Sequence, residues 1–415
     1  MNSAIDHTRI LILKAEMGFG HRSAARAMKA AFEAQYGDRC TVYIVDPIQN
    51  ERAPDFLRDS LAEYDRAVRD MPNLYRLGYE VSDTPLSVPM IEGGLSVLLL
   101  DALREIVTQY QPHVIVCVYQ NFLAPLSALF ALTGNHIPVV TVITDLTVIH
   151  RLWYNRVSDV CVVPTQTAYD LAIKYGLSPE RVRVIGIPVH PDISRETRTA
   201  AEVRESLGWK RDLTTLLFVG SKRVRNLREV LRAFNHSGLP IQLIVVTGGD
   251  DELYREFQQT EWHVQTHLYN YVEDMPTFIR ASDAMVCKAG GLSVTEALAG
   301  GLPILLIDLI EGQETGNAEY VVEHGAGDLA TDPITALETL YHWLIDGQAL
   351  LGQRAAAARR LGAPRAAFEI AALAWAKAGD YQRELRRKTL LQASRLRALR
   401  RLPLPPPFLK LPRID

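Results

Sequence analysis

The chain alternates short apolar runs with amphipathic stretches, and it does so in two separate cycles. Arg9-Ile-Leu-Ile-Leu-Lys14 has the length of a strand and opens through Gly18-Phe-Gly-His21 into an Ala-rich amphipathic helix beginning at Arg22. Strand, glycine loop and helix form the opening unit of a doubly wound fold. Further strand-like runs at 41–45, 114–118, 139–143 and 160–163 have helical patterns between several of them. A second cycle begins near Leu213, with strand-like runs at 216–219, 241–247, 267–271, 284–287 and 303–307 and helical patterns at 226–234 and 275–280. This alternation predicts an α/β fold with mostly parallel sheets covered on both faces. Segment 188–199 holds Pro188 and Pro191, lacks apolar periodicity and reads as the linker. Residues 1–190 are thus expected to form one Rossmann-like unit, 191–375 a second, and 376–415 a basic tail. Ligands of open parallel sheets sit beyond the carboxyl ends of the strands, so two such units facing each other enclose a cleft.

At 415 residues the chain exceeds what one compact core organises, which agrees with two units. Its longest apolar runs, 95–100 and 139–143, fall far short of the roughly 20 residues that span a bilayer. Residues 1–7 lack the basic and apolar regions of a secretory signal, and the reading is cytoplasmic. Cys40, Cys117, Cys161 and Cys287 stand singly in or beside apolar runs, as buried free thiols do in a reducing compartment, not as a metal site.

The net charge of −3 hides an asymmetry. From Tyr381 onward ten Lys or Arg face only Glu384 and Asp415, a net +8 that leaves −11 on the rest. An acidic body argues against general nucleic-acid binding. The basic, Leu-interleaved tail suits an anionic lipid surface or RNA, or is simply a solvated terminus. Residues 403–408 are too Pro-rich for helix, whereas an Ala- and Arg-rich helical stretch runs from Gly352 to about Lys377.

The strongest chemical signal is Cys287-Lys-Ala-Gly-Gly-Leu-Ser-Val-Thr-Glu-Ala297. A strand empties into a glycine pair and then a helix, which aims free N–H groups and the positive helix end at an anion. Glu296, one turn inside, is placed to accept hydrogen bonds from two ribose hydroxyls, so a diphosphate joined to a ribose suits this turn better than a lone phosphate. His21, at the first strand-to-helix turn beside Gly20, is either a cap or a neutral general base toward a hydroxyl.

The segments Gly18-Phe-Gly-His-Arg-Ser-Ala-Ala25, Val142-Ile-Thr-Asp145, Gly186-Ile-Pro-Val189, Lys288 to Ala297 and Gly312-Gln-Glu-Thr-Gly-Asn-Ala318 onward resemble one glycosyltransferase family. It contains the monogalactosyldiacylglycerol synthases and the processive diacylglycerol glucosyltransferases, and more distantly resembles the N-acetylglucosaminyltransferase that makes lipid II. The resemblance runs in matching order from Ile10 to about Leu344. It implies a GT-B fold of two facing Rossmann-like domains and an inverting reaction from a UDP-sugar without bound metal or other cofactor. By position, it implies that Tyr271 covers the uracil and Val272 meets its edge. Gly291, Leu292 and Ser293 would face the diphosphate, Glu296 the ribose, and Gln313, Glu314 and Asn317 the donor sugar. His21 would be the base, with Gly20 beside it, and Asp145, His150 and Trp153 would face the acceptor. The region between Tyr64 and Leu100 would meet membrane and lipid.

Two departures stand out. His190 occupies the place where the family commonly has an Arg, and the loop Val219-Gly-Ser221-Lys-Arg-Val-Arg225-Asn226 replaces a Gly-rich one. Ser221 can still offer a hydroxyl to a phosphate, with Lys222, Arg223 and Arg225 as substitute cations. The implied function is transfer of a hexose from a UDP-sugar to a lipid, diacylglycerol first among acceptors, by a protein peripheral to the inner face of the membrane. The alternatives are a UDP-sugar epimerase of the same fold and a non-catalytic UDP-sugar-binding member.

Overall fold

The computed structural model describes residues 7–16, 19–58, 78, 81–222, 224–311 and 314–400. Each of the two cycles forms one six-stranded sheet, and every strand pairing is parallel. The first sheet holds β1 (Thr8–Leu13), β2 (Cys40–Val45), β3 (Val114–Cys117), β4 (Val139–Val142), β5 (Val160–Val163) and β6 (Val182–Val184) in the order β2-β1-β3-β4-β5-β6. The second holds β7 (Thr214–Val219), β8 (Ile241–Val246), β9 (Gln265–Tyr269), β10 (Ala284–Lys288), β11 (Ile304–Asp308) and β12 (Gly327–Leu329) in the order β12-β11-β10-β7-β8-β9. The order reverses between β1 and β3 in one sheet and between β7 and β10 in the other. Both switch points open a crevice at the carboxyl ends of the strands.

β3, β4 and β5 are buried along their whole length and read as unbroken Val-rich runs, as strands covered on both faces must. The edge strands β6 and β12 were not visible as patterns. Each has three residues, and β6 is Val-Arg-Val with its last two exposed. Short polar edges resist unwanted pairing, and for that reason carry no apolar run to recognise.

Helix α1 (Phe19–Tyr36) follows β1 and α2 (Ser87–Tyr110) precedes β3. In the second unit α3 (Gly291–Gly300) follows β10 and α4 (Thr315–Glu323) follows β11. Then come α5 (Pro333–Leu361) and α6 (Ala366–Arg400). The expected boundary at 375/376 falls inside α6, which is one uninterrupted helix. Its alanines Ala366, Ala367, Ala371, Ala374 and Ala378 pack with Ile370 into the core of the first sheet against Ala24, Met28 and Phe32 of α1. Trp375 stacks on Tyr36 at a centroid distance of 3.9 Å. The Ala-rich composition, read as helix propensity, is also a close-packing face that returns the chain to the first unit.

Two crossings therefore join the units. Gly186 has φ +123°, and a Cβ there would lie 2.5 Å from that of Ala363. A Cβ on Gly362 would lie 2.1 Å from the carbonyl oxygen of Leu298 in α3. Glycine is required at Gly186 by its positive φ and the Ala363 methyl, and at Gly362 by the backbone of α3. Among the described residues no helix is long and apolar enough to cross a membrane. The tail beyond Arg400, most of 59–80, Arg223, Gly312 and Gln313 lie outside the described residues.

Candidate active site

The two crevices face each other across a cavity of about 350 Å³ lined by both units, a size suited to a nucleotide-scale ligand. From the second unit come the turn before α3, the loop after β7 and the segment 271–276. From the first come the start of α1 and the residues after β4.

The α3 turn has the expected shape. Gly290 is the N-cap residue, and no side chain caps the helix. Val294 N–H bonds back to the Gly290 carbonyl, whereas the N–H groups of Gly291, Leu292 and Ser293 have no partner among the described residues. Three unsatisfied donors at a positive helix end make an anion site. One turn on, Glu296 lines the cavity half-buried, without a hydrogen bond to any described residue. Burial alone pushes its carboxyl up to about 7.

β10 reaches this turn through an irregularity. Cys287 pairs with Leu306 but Lys288 pairs with Asp308, so Ile307 is an extra residue opposite that step. Such a bulge re-aims the side chain at a strand end, and Lys288 lines the cavity, ion-paired to Glu314. Glu314 is buried, and its second oxygen accepts the Ile310 N–H at 2.9 Å. Its position in the cavity is set by two partners.

Gly220 after β7 and Gly248 after β8 meet backbone to backbone, with no room for a side chain on Gly248. A Cβ on Gly248 would lie 2.3 Å from the Gly220 carbonyl oxygen. Ser221 and His190 line the cavity beside it, His190 with Nδ1 3.4 Å from an Asp192 carboxylate oxygen. Tyr271, 53% exposed, and Val272 line the cavity as well.

On the first unit, His21 sits in the first turn of α1 beside Gly20. Its Nδ1 lies 2.8 Å from the Val118 carbonyl oxygen and 3.1 Å from the Thr144 hydroxyl. A carbonyl only accepts, so Nδ1 carries the proton and Nε2 is left as a free base. Desolvation drives the imidazole down to about 4, against a smaller upward pull from that carbonyl. The ring is therefore neutral at physiological pH. Asp145, also lining the cavity, is pushed up to about 6 by burial while its bond from Trp153 pulls it down.

Residues 21–189 match the model of the monogalactosyldiacylglycerol (MGDG) synthase family, and residues 214–344 match the glycosyltransferase family 28 C-terminal domain. The chain belongs to the monogalactosyldiacylglycerol synthase family of glycosyltransferases. A probable chloroplastic monogalactosyldiacylglycerol synthase of Nicotiana tabacum is 29% identical over 373 residues, covering 87% of this chain and 69% of that protein. Among solved structures, MurG of Acinetobacter baumannii superposes with a TM-score of 0.56 at 16% identity, over 89% of this chain and 99% of that one. UDP-GlcNAc 2-epimerase of Neisseria meningitidis, bound to UDP-GlcNAc, superposes with a TM-score of 0.57 at 14% identity, over 88% and 98%. At such identities the likeness is one of fold, and that fold is GT-B.

Within this family member, not every anticipated residue faces the cavity. Trp153 is fully buried, and its indole N–H donates to Asp145 at 3.0 Å, so it supports that carboxyl from the core and offers no surface to an acceptor. His150 is buried as well. Its Nδ1 accepts the Leu152 N–H at 3.2 Å and its Nε2 meets the Ser82 hydroxyl at 3.1 Å, pinning the approach to α2 against the turn at 151–153. Asn317 lies beneath the α3 turn and donates to the Ala289 carbonyl at 3.0 Å. Arg225, anticipated as a phosphate cation, instead pairs with buried Asp308 at 2.8 Å and fastens the β7 loop. Lys222 is exposed and does not line the cavity. A polar side chain on a turn has the same sequence signature whether it serves ligand or backbone. Lys288, Arg26 and Thr144 line the cavity without having been singled out. The only signal for Lys288 was its place at the mouth of the Gly290 turn.

Proposed function

We propose that this glycosyltransferase moves a hexose, galactose first among candidates, from its UDP-sugar to the hydroxyl of diacylglycerol with inversion at the anomeric carbon. His21 Nε2 takes the proton of the acceptor hydroxyl as its oxygen bonds to the anomeric carbon. The bond from that carbon to the β-phosphate oxygen breaks, and the electron pair leaves with UDP. The charge gathering on UDP meets the N–H groups of Gly291, Leu292 and Ser293, the positive end of α3 and the ammonium of Lys288. Ribose hydroxyls donate to Glu296, and Tyr271 lies against the base.

The observation that carries this reading is the opposition, across one cavity, of a neutral histidine with a free Nε2 and an α3 turn with three open N–H groups beside a partnerless carboxylate. The name of the Nicotiana tabacum relative points to galactose and diacylglycerol. A lipid acceptor also agrees with an exposed apolar stripe at the start of α2, where Leu86, Met90 and Val97 are 85%, 79% and 81% exposed at helical spacing. We infer a protein peripheral to the inner, cytoplasmic face of an anionic membrane, held by that stripe and the basic tail. The test is to incubate the purified protein with UDP-galactose, UDP-glucose or UDP-N-acetylglucosamine and dioleoylglycerol micelles. A glycolipid of inverted anomeric configuration is expected; UDP-sugar interconversion without lipid, or UDP binding with no product, refutes the proposal.

A further inference from the structure

The residues after β4 touch the base and the donor loops at once. The Thr144 hydroxyl lies 3.1 Å from His21 Nδ1, and its carbonyl oxygen lies 3.4 Å from where a Cβ on Gly291 would stand. Three residues on, Thr147 and Val148 press against Gly316 at the start of α4, where a Cβ would lie 2.2 Å from the Thr147 hydroxyl. Thr144 is itself 8% exposed and lines the cavity. The proton on Nδ1 points to the Val118 carbonyl, so the Thr144 hydroxyl accepts the second branch of a shared hydrogen bond. With one acceptor the imidazole could swing about its Cβ–Cγ bond, and with two its plane is fixed.

We propose that Thr144 is a positioning residue that ties the seating of the Gly291 loop to the orientation of His21. The α3 turn packs at the Thr144 carbonyl, and the same residue holds the imidazole with its hydroxyl. His21 is thus aimed when the diphosphate loop is in place. This inference rests on His21 acting as the base.

Thr144→Val keeps the shape and removes the hydroxyl, and Thr144→Ser keeps the hydroxyl. With UDP-galactose and dioleoylglycerol micelles, kcat of Thr144→Val should fall about tenfold, the loss expected for one such hydrogen bond to a reacting group, with UDP affinity by calorimetry unchanged within twofold. Thr144→Ser should recover most of kcat. In ¹⁵N-histidine spectra, the Nδ1–H signal of His21, assigned by its loss in His21→Ala, should broaden in Thr144→Val alone, as the ring loses its fixed plane. Combining Gly291→Ala with Thr144→Val should lower kcat by less than the product of the two separate losses. Full kcat in Thr144→Val, equal loss in the Val and Ser variants, or strict multiplication in the double variant would overturn the coupling. Should His21→Ala also retain full kcat, it is the base assignment that fails.

Discussion

Glu296 offers the sharpest quantitative test, because its carboxyl is held near 7 in the free protein and has no partner there. A ribose diol donates to the ionised form, so binding must first remove the proton wherever the acid form prevails. With a value of about 7, roughly nine-tenths of the population is ionised at pH 8 and one-tenth at pH 6, so the wild-type dissociation constant should rise about tenfold between them. Glu296→Gln cannot titrate. It lacks the charged hydrogen bond, worth about 1.5–3 kcal/mol, and should bind about ten- to a hundredfold more weakly at pH 8. At pH 6 the gap should shrink by about tenfold. UDP-galactose is the ligand of choice because its diphosphate is a diester and does not titrate in this range, and calorimetry at pH 6, 7 and 8 reads all six constants. Stability supplies an independent sign. The folded carboxyl takes up a proton more readily than its ordinary value of 4.5 allows, so the wild type loses stability as pH rises through the window from 4.5 to 7. Glu296→Gln should therefore melt higher than wild type at pH 8 without ligand, and not below pH 4.5. A mutant-to-wild-type affinity ratio that stays constant within twofold from pH 8 to pH 6 would remove Glu296 from the ribose.

Three further outcomes are expected. His21→Ala should lower kcat by about a hundredfold or more with UDP affinity intact. In the wild type, kcat at saturating donor should hold down to the region of pH 4, where the imidazole charges; equal loss of UDP binding in the variant would make His21 structural. Lys288→Met should weaken UDP about tenfold and leave uridine affinity unchanged, since only the diphosphate meets the ammonium; parallel losses for both ligands would mean that it acts by holding Glu314. Replacing Leu86, Met90 and Val97 together by Ser should reduce partition onto anionic vesicles about tenfold or more; unchanged partition would show that the α2 stripe does not meet lipid.

The repeating strand-and-helix pattern determined two parallel α/β units, because strands buried on both faces have to be continuous Val, Ile and Leu runs. The Lys288–Ala297 stretch likewise determined a turn with open N–H groups suited to an anion, since glycines, a helix start and a carboxylate one turn inside are a local arrangement that needs no distant contact. What lay beyond reach depends on which surfaces meet. Only the packing of α6 onto α1 shows that the Ala-rich end of the chain belongs to the first unit's core. Only the bulge at Ile307 turns Lys288 into the cavity, and only burial against Asp145 makes Trp153 a support instead of an acceptor surface. The candidate base is the clearest case: a histidine beside a glycine turn was legible, but its free Nε2 is decided by a carbonyl at Val118 and a hydroxyl at Thr144, about a hundred residues away along the chain. Hydrogen-bond direction and desolvation are properties of neighbours in space, and neighbours in space are what the fold creates.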